Sequence, residues 1–355
     1  MNLRRMDQLL AGFADGDAIS QEARLIRRLC RGMGIASEIY APPECIAPAV
    51  ADECRSAEDF PAESRDMVMY HYSMDSSVTD LYFRASARKV VRYHNITPAE
   101  FFDGFDDETA VGLRAARRNL PAVLERADKA CAVSAYNAEE LKMAGFGKTP
   151  ISVIPLLFSF EECEVAPDPR MLRRFRGPLK TILFLGRIVP NKCVEDLLLA
   201  FAWYHRTLEP ASRLILAGSE HSCPRYFSML SLLAGRLGLN NVCFEGFVSD
   251  GGRSACYQTA DIFVTTSRHE GFCLPLIESM VHDVPVLARA QGGMQEALDG
   301  SGVLFEETSP RVLAELIHRV VSGEKLRKEI FHSQRERIRR LRQRDLRQDC
   351  LRLMA

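Results

Sequence analysis

The chain has 355 residues, enough for two domains that each bury a core, and its 47% hydrophobic and 26% charged content is that of an ordinary soluble protein. Collagen-like, disordered and low-complexity classes are thereby excluded. With 46 Lys and Arg against 47 Asp and Glu the formal charge is −1, which also excludes a general phosphate-backbone binder relying on excess cation.

The first ten residues lack a signal-peptide apolar stretch, and apolar runs such as 181–185 are about 5 residues long, against the roughly 20 that cross a bilayer. A cytoplasmic location is expected. The 11 cysteines, scattered from Cys30 to Cys350 without a CxxC pair, support neither a disulfide framework nor a zinc site and read as reduced, mostly core thiols.

In chain order, residues 37–40, 67–72, 89–93, 131–134 and 152–156 read as strands, with helical spacing over 19–31 and 111–126. Alternation of this kind implies a parallel sheet covered on both faces. Residues 161–178 change texture to Glu, Pro and Arg, and Pro167, Pro169 and Pro178 there are expected to interrupt regular structure, so this is the linker. The alternation then restarts, with strands at 181–185, 213–217, 242–244, 261–265 and 284–288 and helices at 194–208, 226–237 and 276–281. Two domains are predicted, at 1–165 and 178–339. The tail 324–355 holds 11 Lys and Arg against 5 Asp and Glu, and reads either as a solvated helix face or as a basic surface for anionic lipid at the inner face of the membrane.

Several motifs fail on inspection. Gly147-Lys148-Thr149 is not a P-loop, because the first glycine would fall at Lys142 and the segment runs from helix to strand. His269-Glu270-Gly271-Phe272-Cys273 starts like HExxH, yet Cys273 takes the second ligand position and Gly271 with Pro275 opposes a continuous helix. No GxGxxG follows any strand, which removes the dinucleotide fingerprint. Asp103, Asp106, Asp107 and Glu108 read as polar surface rather than a divalent-ion site, so no metal and no cofactor are expected.

The constellation that carries chemistry follows the strand at 261–265. Pro275 suits a first helical turn, and Gly271, Phe272, Cys273 and Leu274 then offer backbone N–H groups at the positive end of a helix, a ready anion site. Glu278 can point back at that loop, and Glu270 approaches from the strand side. Carboxylates beside an N–H-rich loop suit a ligand with both hydroxyls and phosphates, as a nucleotide sugar has. Arg187 and Lys192, after the strand at 181–185, supply the cations for a diphosphate.

Gly186-Arg187 with Lys192, Glu270-x7-Glu278, and Gly292-Gly293 with Glu296 resemble the donor half of the retaining glycosyltransferases of family 4. In the first half, the stretch Gly16-Asp17-Ala18-Ile19-Ser20, Tyr70-His71-Tyr72-Ser73, Tyr93-His94-Asn95-Ile96-Thr97-Pro98 and Val133-Ser134 are similar to a bacterial polysaccharide-type subgroup of that family. The resemblance implies an α/β fold of the GT-B kind, two Rossmann-like doubly wound domains facing each other across a cleft, with a C-terminal helix at about 340–355 packing back on the first. It implies that Arg187 and Lys192 bind the diphosphate, Glu278 the ribose, Glu270 the transferred sugar, residues 271–274 sugar and phosphate through the main chain, and the stretch near Val248 the base. His94 would face the sugar from the other domain, while Gly16 and Asp17 would meet the donor or acceptor, with helix capping the other reading of Asp17; His71 reads as structural. Three departures stand out: the usual double-glycine loop is reduced to Gly16-Asp17, Cys193 stands where a glycine commonly follows the lysine, and Cys273 replaces a small or different residue. The expected activity is metal-independent retaining transfer of a hexosyl group from a nucleoside diphosphate sugar to a glycan or lipid-linked glycan; a nucleotide-sugar epimerase, a phosphorylase or a non-catalytic nucleotide-sugar-binding protein are the alternatives.

Overall fold

The computed structural model describes residues 3–61, 63, 66–144 and 149–355; Gly147 and Lys148 of the rejected P-loop lie outside them. The chain divides into two compact units, residues 1–100 with 108–159 and 344–355, and residues 101–107 with 160–343.

The first unit is built on seven parallel strands: β1 (Met6–Leu10), β2 (Ile39–Ala41), β3 (Arg55–Ser56), β4 (Met67–Tyr72), β5 (Arg88–Tyr93), β6 (Lys129–Ala132) and β7 (Ile151–Val153), in the order β3-β2-β1-β4-β5-β6-β7. β1 and β4 are buried at every position, as expected of central strands covered on both faces. The sequence pattern hides β1, because its buried Asp7 and Gln8 break the apolar run; each is matched instead, Asp7 by Arg5 at 2.6 Å and Gln8 by His71. The helix Ala18–Gly32 follows β1, with Asp17 accepting from the Ser20 N–H at 2.9 Å as its N-cap.

The second unit has six parallel strands, β8 (Lys180–Leu185), β9 (Ser212–Ala217), β10 (Val242–Gly246), β11 (Ile262–Thr265), β12 (Val286–Arg289) and β13 (Val303–Phe305), ordered β10-β9-β8-β11-β12-β13. Residues 161–178 are not an unstructured linker. They belong to this unit and contain the helix Pro169–Phe175, because Asp168 caps it by accepting from the Arg170 and Met171 N–H groups and Pro169 occupies a position that needs no donor.

The basic tail divides between the units. The helix Glu324–Arg342 lies on the second, where Arg335 pairs with Asp283, Arg337 and Arg340 with Asp299, and Arg342 with Glu164. Much of its positive charge is thus engaged with acids of the same unit. The helix Leu346–Met354 returns to the first unit, where Cys350, Leu353 and Met354 are buried among Met6, Leu25, Ile26, Cys30 and Val90. Among the described residues no helix is long and apolar enough to cross a membrane. All eleven cysteines are free thiols, and only Cys45 is exposed.

Because Leu353 is fully buried in that core, Leu353→Ala is expected to destabilise the first unit by about 2–5 kcal/mol in denaturant unfolding. A change under about 0.5 kcal/mol, the usual range for a surface position, would show that the tail helix is not part of the core.

Candidate functional site

In the second sheet the strand order reverses beside β8. The connections after β8 and β11 leave the carboxyl edge in opposite directions, and this is where open α/β sheets hold ligands. The two loops there are residues 186–193 and 266–273. They are tied together: the Arg268 N–H donates to the Asn191 carbonyl at 2.9 Å, Asn191 Nδ2 to the His269 carbonyl at 3.1 Å, and Thr266 Oγ1 to the carbonyls of Lys192 and Cys193 at 3.1 and 2.8 Å. Beneath them Arg289, 2% exposed, donates to the Thr266 carbonyl and pairs with Asp196 and Glu307 at 2.6 and 2.5 Å.

On this frame Lys192 Nζ lies 2.5 Å from Glu270 Oε1, a largely buried ion pair joining the two loops. Arg187 is exposed, and its side chain has no hydrogen bond or ion pair among the described residues. A third loop locks Glu270: the Gly293 N–H donates to its carbonyl at 2.9 Å, and a Cβ on Gly292, whose φ is +59°, would fall 2.3 Å from that oxygen. Only glycine fits there. Likewise the backbone of Gly186 passes so close to Gly218 that a Cβ on Gly218 would meet the Gly186 oxygen at 1.7 Å.

The helix Leu274–Val281 opens with Pro275 in its first turn, preceded by Cys273 at φ +72°. Phe272 and Leu274 turn buried side chains inward, so their main chain is what the loop offers, beside the half-buried Gly271. Burial, and after it the charge of Glu270, push the Cys273 thiol well above its ordinary value, which favours the neutral thiol. Cys193, just before the helix Val194–Trp203, adopts φ +48°, the left-handed conformation a glycine takes without penalty, and burial pushes its thiol up to about 12.

Glu278 is 3% exposed. Tyr257 donates to its Oε2 at 2.8 Å, and Arg253 Nη1 stands 3.4 Å from its Oε1. Burial, then Glu278 itself, hold the Tyr257 phenol well above its usual range, so it remains a donor. Both partners sit on the helix Asp250–Thr259, capped by Ser249 directly after the half-buried Val248. The predicted base-side and ribose-side positions are therefore linked by one helix. Sequence reading missed Tyr257 and Arg253, since this short helix has no apolar run that would single out the two residues.

The first sheet reverses its order between β1 and β4, and a second cluster lies there. Glu22 and Arg92, both fully buried, pair at 2.6 and 3.1 Å, and the Leu157 N–H also donates to Glu22, at 2.7 Å. His94 Nε2 lies 3.5 Å from Glu22 Oε2 and 2.9 Å from His71 Nδ1, and His71 Nε2 lies 2.9 Å from Gln8 Oε1. His71 is therefore a direct partner of His94. Asn95, at φ +94°, fixes the turn after His94 by donating to Asn137 and Glu140 at 2.9 and 3.1 Å. Gly16 is exposed in the turn before Asp17, and Asp17 acts as the helix cap described above.

Among the described residues, Glu22, His71 and His94 bring three ligand-type atoms within 4.8 Å of one another. They suit a hydrogen-bond network better than a cation, because the Arg92 guanidinium already takes both Glu22 oxygens. The acids Asp103, Asp106, Asp107 and Glu108 form no such group.

Two doubly wound parallel sheets with these switch-point loops define a GT-B fold. Residues 173–337 match the family model described as glycosyl transferases group 1. Over 145 residues, 39% of this chain, the sequence is 35% identical to mannosylfructose-phosphate synthase of Agrobacterium fabrum, and over 211 residues, 56% of the chain, it is 31% identical to D-inositol 3-phosphate glycosyltransferase 1 of Catenulispora acidiphila. These matches span 32% and 50% of the relatives' own lengths. Among solved structures, sucrose-phosphate synthase from Thermosynechococcus elongatus superposes with a TM-score of 0.75 at 17% identity, covering 99% of this chain and 97% of that one. Anabaena HepE in complex with UDP-glucose gives 0.70 at 20% identity, covering 98% of each.

Burial holds both His71 and His94 well below the ordinary imidazole value, for His71 with the neighbouring His94 adding to it and for His94 with Arg92. The unfolded chain therefore binds protons that the folded chain excludes. The stability this contributes is complete above pH of about 6.5 and falls as the pH drops below it. A His71→Gln, His94→Gln double variant is expected to lose unfolding free energy less steeply between pH 7.5 and about 5; equal slopes in the two proteins would contradict the assignment.

Proposed function

We propose that this chain is a retaining, metal-independent glycosyltransferase of the family 4 type, moving a hexosyl group from a nucleoside diphosphate sugar to a hydroxyl of a glycan or lipid-linked glycan. The observation that carries the reading is the pairing of Lys192 with Glu270 at the switch point of the second sheet, with Arg187 exposed on the same loop.

Lys192 and Arg187 would hold the diphosphate and offset the charge that grows on it as the bond from the anomeric carbon breaks. Main-chain N–H groups at residues 271–274 would add to this. Glu270, relieved of Lys192 by the phosphates, would accept from sugar hydroxyls, and Glu278 from the ribose hydroxyls, with the base near Val248. In the transfer itself the bond from the anomeric carbon to the phosphate oxygen breaks and a bond to the acceptor oxygen forms on the same face. The acceptor proton passes to the departing phosphate oxygen, so no strong protein base is needed. Support comes from the group 1 match at 173–337 and from the likeness of the fold to a protein bound to UDP-glucose. The partly engaged basic tail leaves a peripheral membrane contact as a secondary element of the reading.

A thermal-shift and calorimetric panel of UDP-, GDP-, ADP-, dTDP- and CMP-sugars is expected to show selective stabilisation by one class. Arg187→Ala should weaken that binding about tenfold or more, the scale of one charge-assisted contact. Unchanged affinity in the variant would remove Arg187 from the site, and silence across the panel would overturn the donor reading.

A further inference from the structure

The cluster at the switch point of the first sheet carries a consequence for what His94 can do. Gln8 Nε2 donates to the Ala23 carbonyl at 3.0 Å, which fixes the amide so that Oε1 faces His71 Nε2 at 2.9 Å. A flipped amide would set its oxygen against the Ala23 carbonyl. His71 Nε2 must therefore carry a proton to donate to Gln8, which in the neutral ring leaves His71 Nδ1 as an acceptor. That acceptor lies 2.9 Å from His94 Nε2. The two rings are nearly coplanar, at 17° with centroids 5.1 Å apart, the arrangement of imidazoles joined edge to edge through N–H···N rather than stacked face to face. Glu22 Oε2, 3.5 Å away, presents a second acceptor to the same nitrogen. His94 Nε2 therefore faces two acceptors and must bear the proton.

The opposite assignment fails at each step. A proton on His71 Nδ1 would put two lone pairs against each other at Gln8, and a bare His94 Nε2 would face the Glu22 carboxylate. Burial favours the neutral form of both rings. Among the described residues Nδ1 of His94 has no hydrogen-bond partner.

We propose that Gln8, His71 and Glu22 are positioning residues that lock His94 as the Nε2–H tautomer, so that its Nδ1 meets a ligand as an acceptor for a sugar hydroxyl and never as a proton donor. The identity of the hydroxyl-bearing ligand rests on the glycosyltransferase reading; the tautomer does not. On that reading His94 orients the sugar by receiving a hydroxyl hydrogen, and it cannot protonate the leaving group.

The test uses the full chain with 15N-labelled imidazoles, without ligand, and records two-bond 15N–1H correlation spectra between pH 6.5 and 8. His94→Gln and His71→Gln identify the two ring systems. Both should show a protonated Nε2 and a bare, downfield Nδ1 throughout. A protonated Nδ1 on His94, or a fully protonated ring, would overturn the proposal. In a Gln8→Met variant with the native backbone spectrum, signals of the other tautomer should appear at His71, whose Nε2 has lost its acceptor; an unchanged tautomer there would remove Gln8 from the lock. Should Gln8→Met not fold, the wild-type spectrum decides alone. Because no turnover is read, a silent nucleotide-sugar panel would sink the function while leaving this result standing, and the reverse holds too.

Discussion

Parallel strands cannot be joined by a tight turn, so each strand must be followed by a crossover, and wherever the strand order reverses two loops diverge from the carboxyl edge of the sheet. Both units obey this constraint, at β8 with β11 and at β1 with β4. The Lys192–Glu270 pair hangs from the first of these places and the His71–His94 cluster from the second. Lys192 and Glu270 are 78 residues apart in sequence, yet they meet because β8 and β11 are neighbours.

Charge inside each unit is managed by pairing. Glu22 with Arg92, and Arg289 with Asp196 and Glu307, are ion pairs with buried members, and each also satisfies backbone groups of a loop. Such pairs are a weak source of net stability, since desolvation offsets most of the attraction. Their effect here is geometric: they fix the loop at Thr266 and the strand ends beside His94. Glu278 differs, because its neighbours Tyr257 and Arg253 hold its carboxylate on the helix without covering it in backbone bonds.

Much of this was legible in the sequence. Apolar runs bounded by turn residues located β4, β5, β8, β9 and β11, and the residue types at 187, 192, 270 and 278 pointed to a diphosphate with hydroxyls. What was not legible rests on contacts distant in sequence. β1 was hidden because Gln8 and Asp7 are polar, and their burial makes sense only once His71 and Arg5 lie beside them. His71 read as merely structural because nothing in a linear pattern joins it to His94, 23 residues on. At 161–178 the prolines suggest a break in regular structure, whereas Asp168 makes Pro169 a helix start. Cys193 and Cys273 looked like departures from a pattern, and their positive φ angles show the shape of the loop that the pattern encodes.

On the function proposed above, the ion pair between Lys192 and Glu270 is a preassembled site in which a diphosphate replaces the carboxylate on the lysine. Calorimetric titration of the nucleoside diphosphate selected by the sugar panel into wild type, Lys192→Met, Glu270→Gln and the double variant tests it directly. A loss of about tenfold or more is expected for Lys192→Met, an equal or tighter affinity for Glu270→Gln, whose lysine is already free, and a double variant that behaves as Lys192→Met. An equal loss for both single variants, or no loss for Lys192→Met, would contradict it.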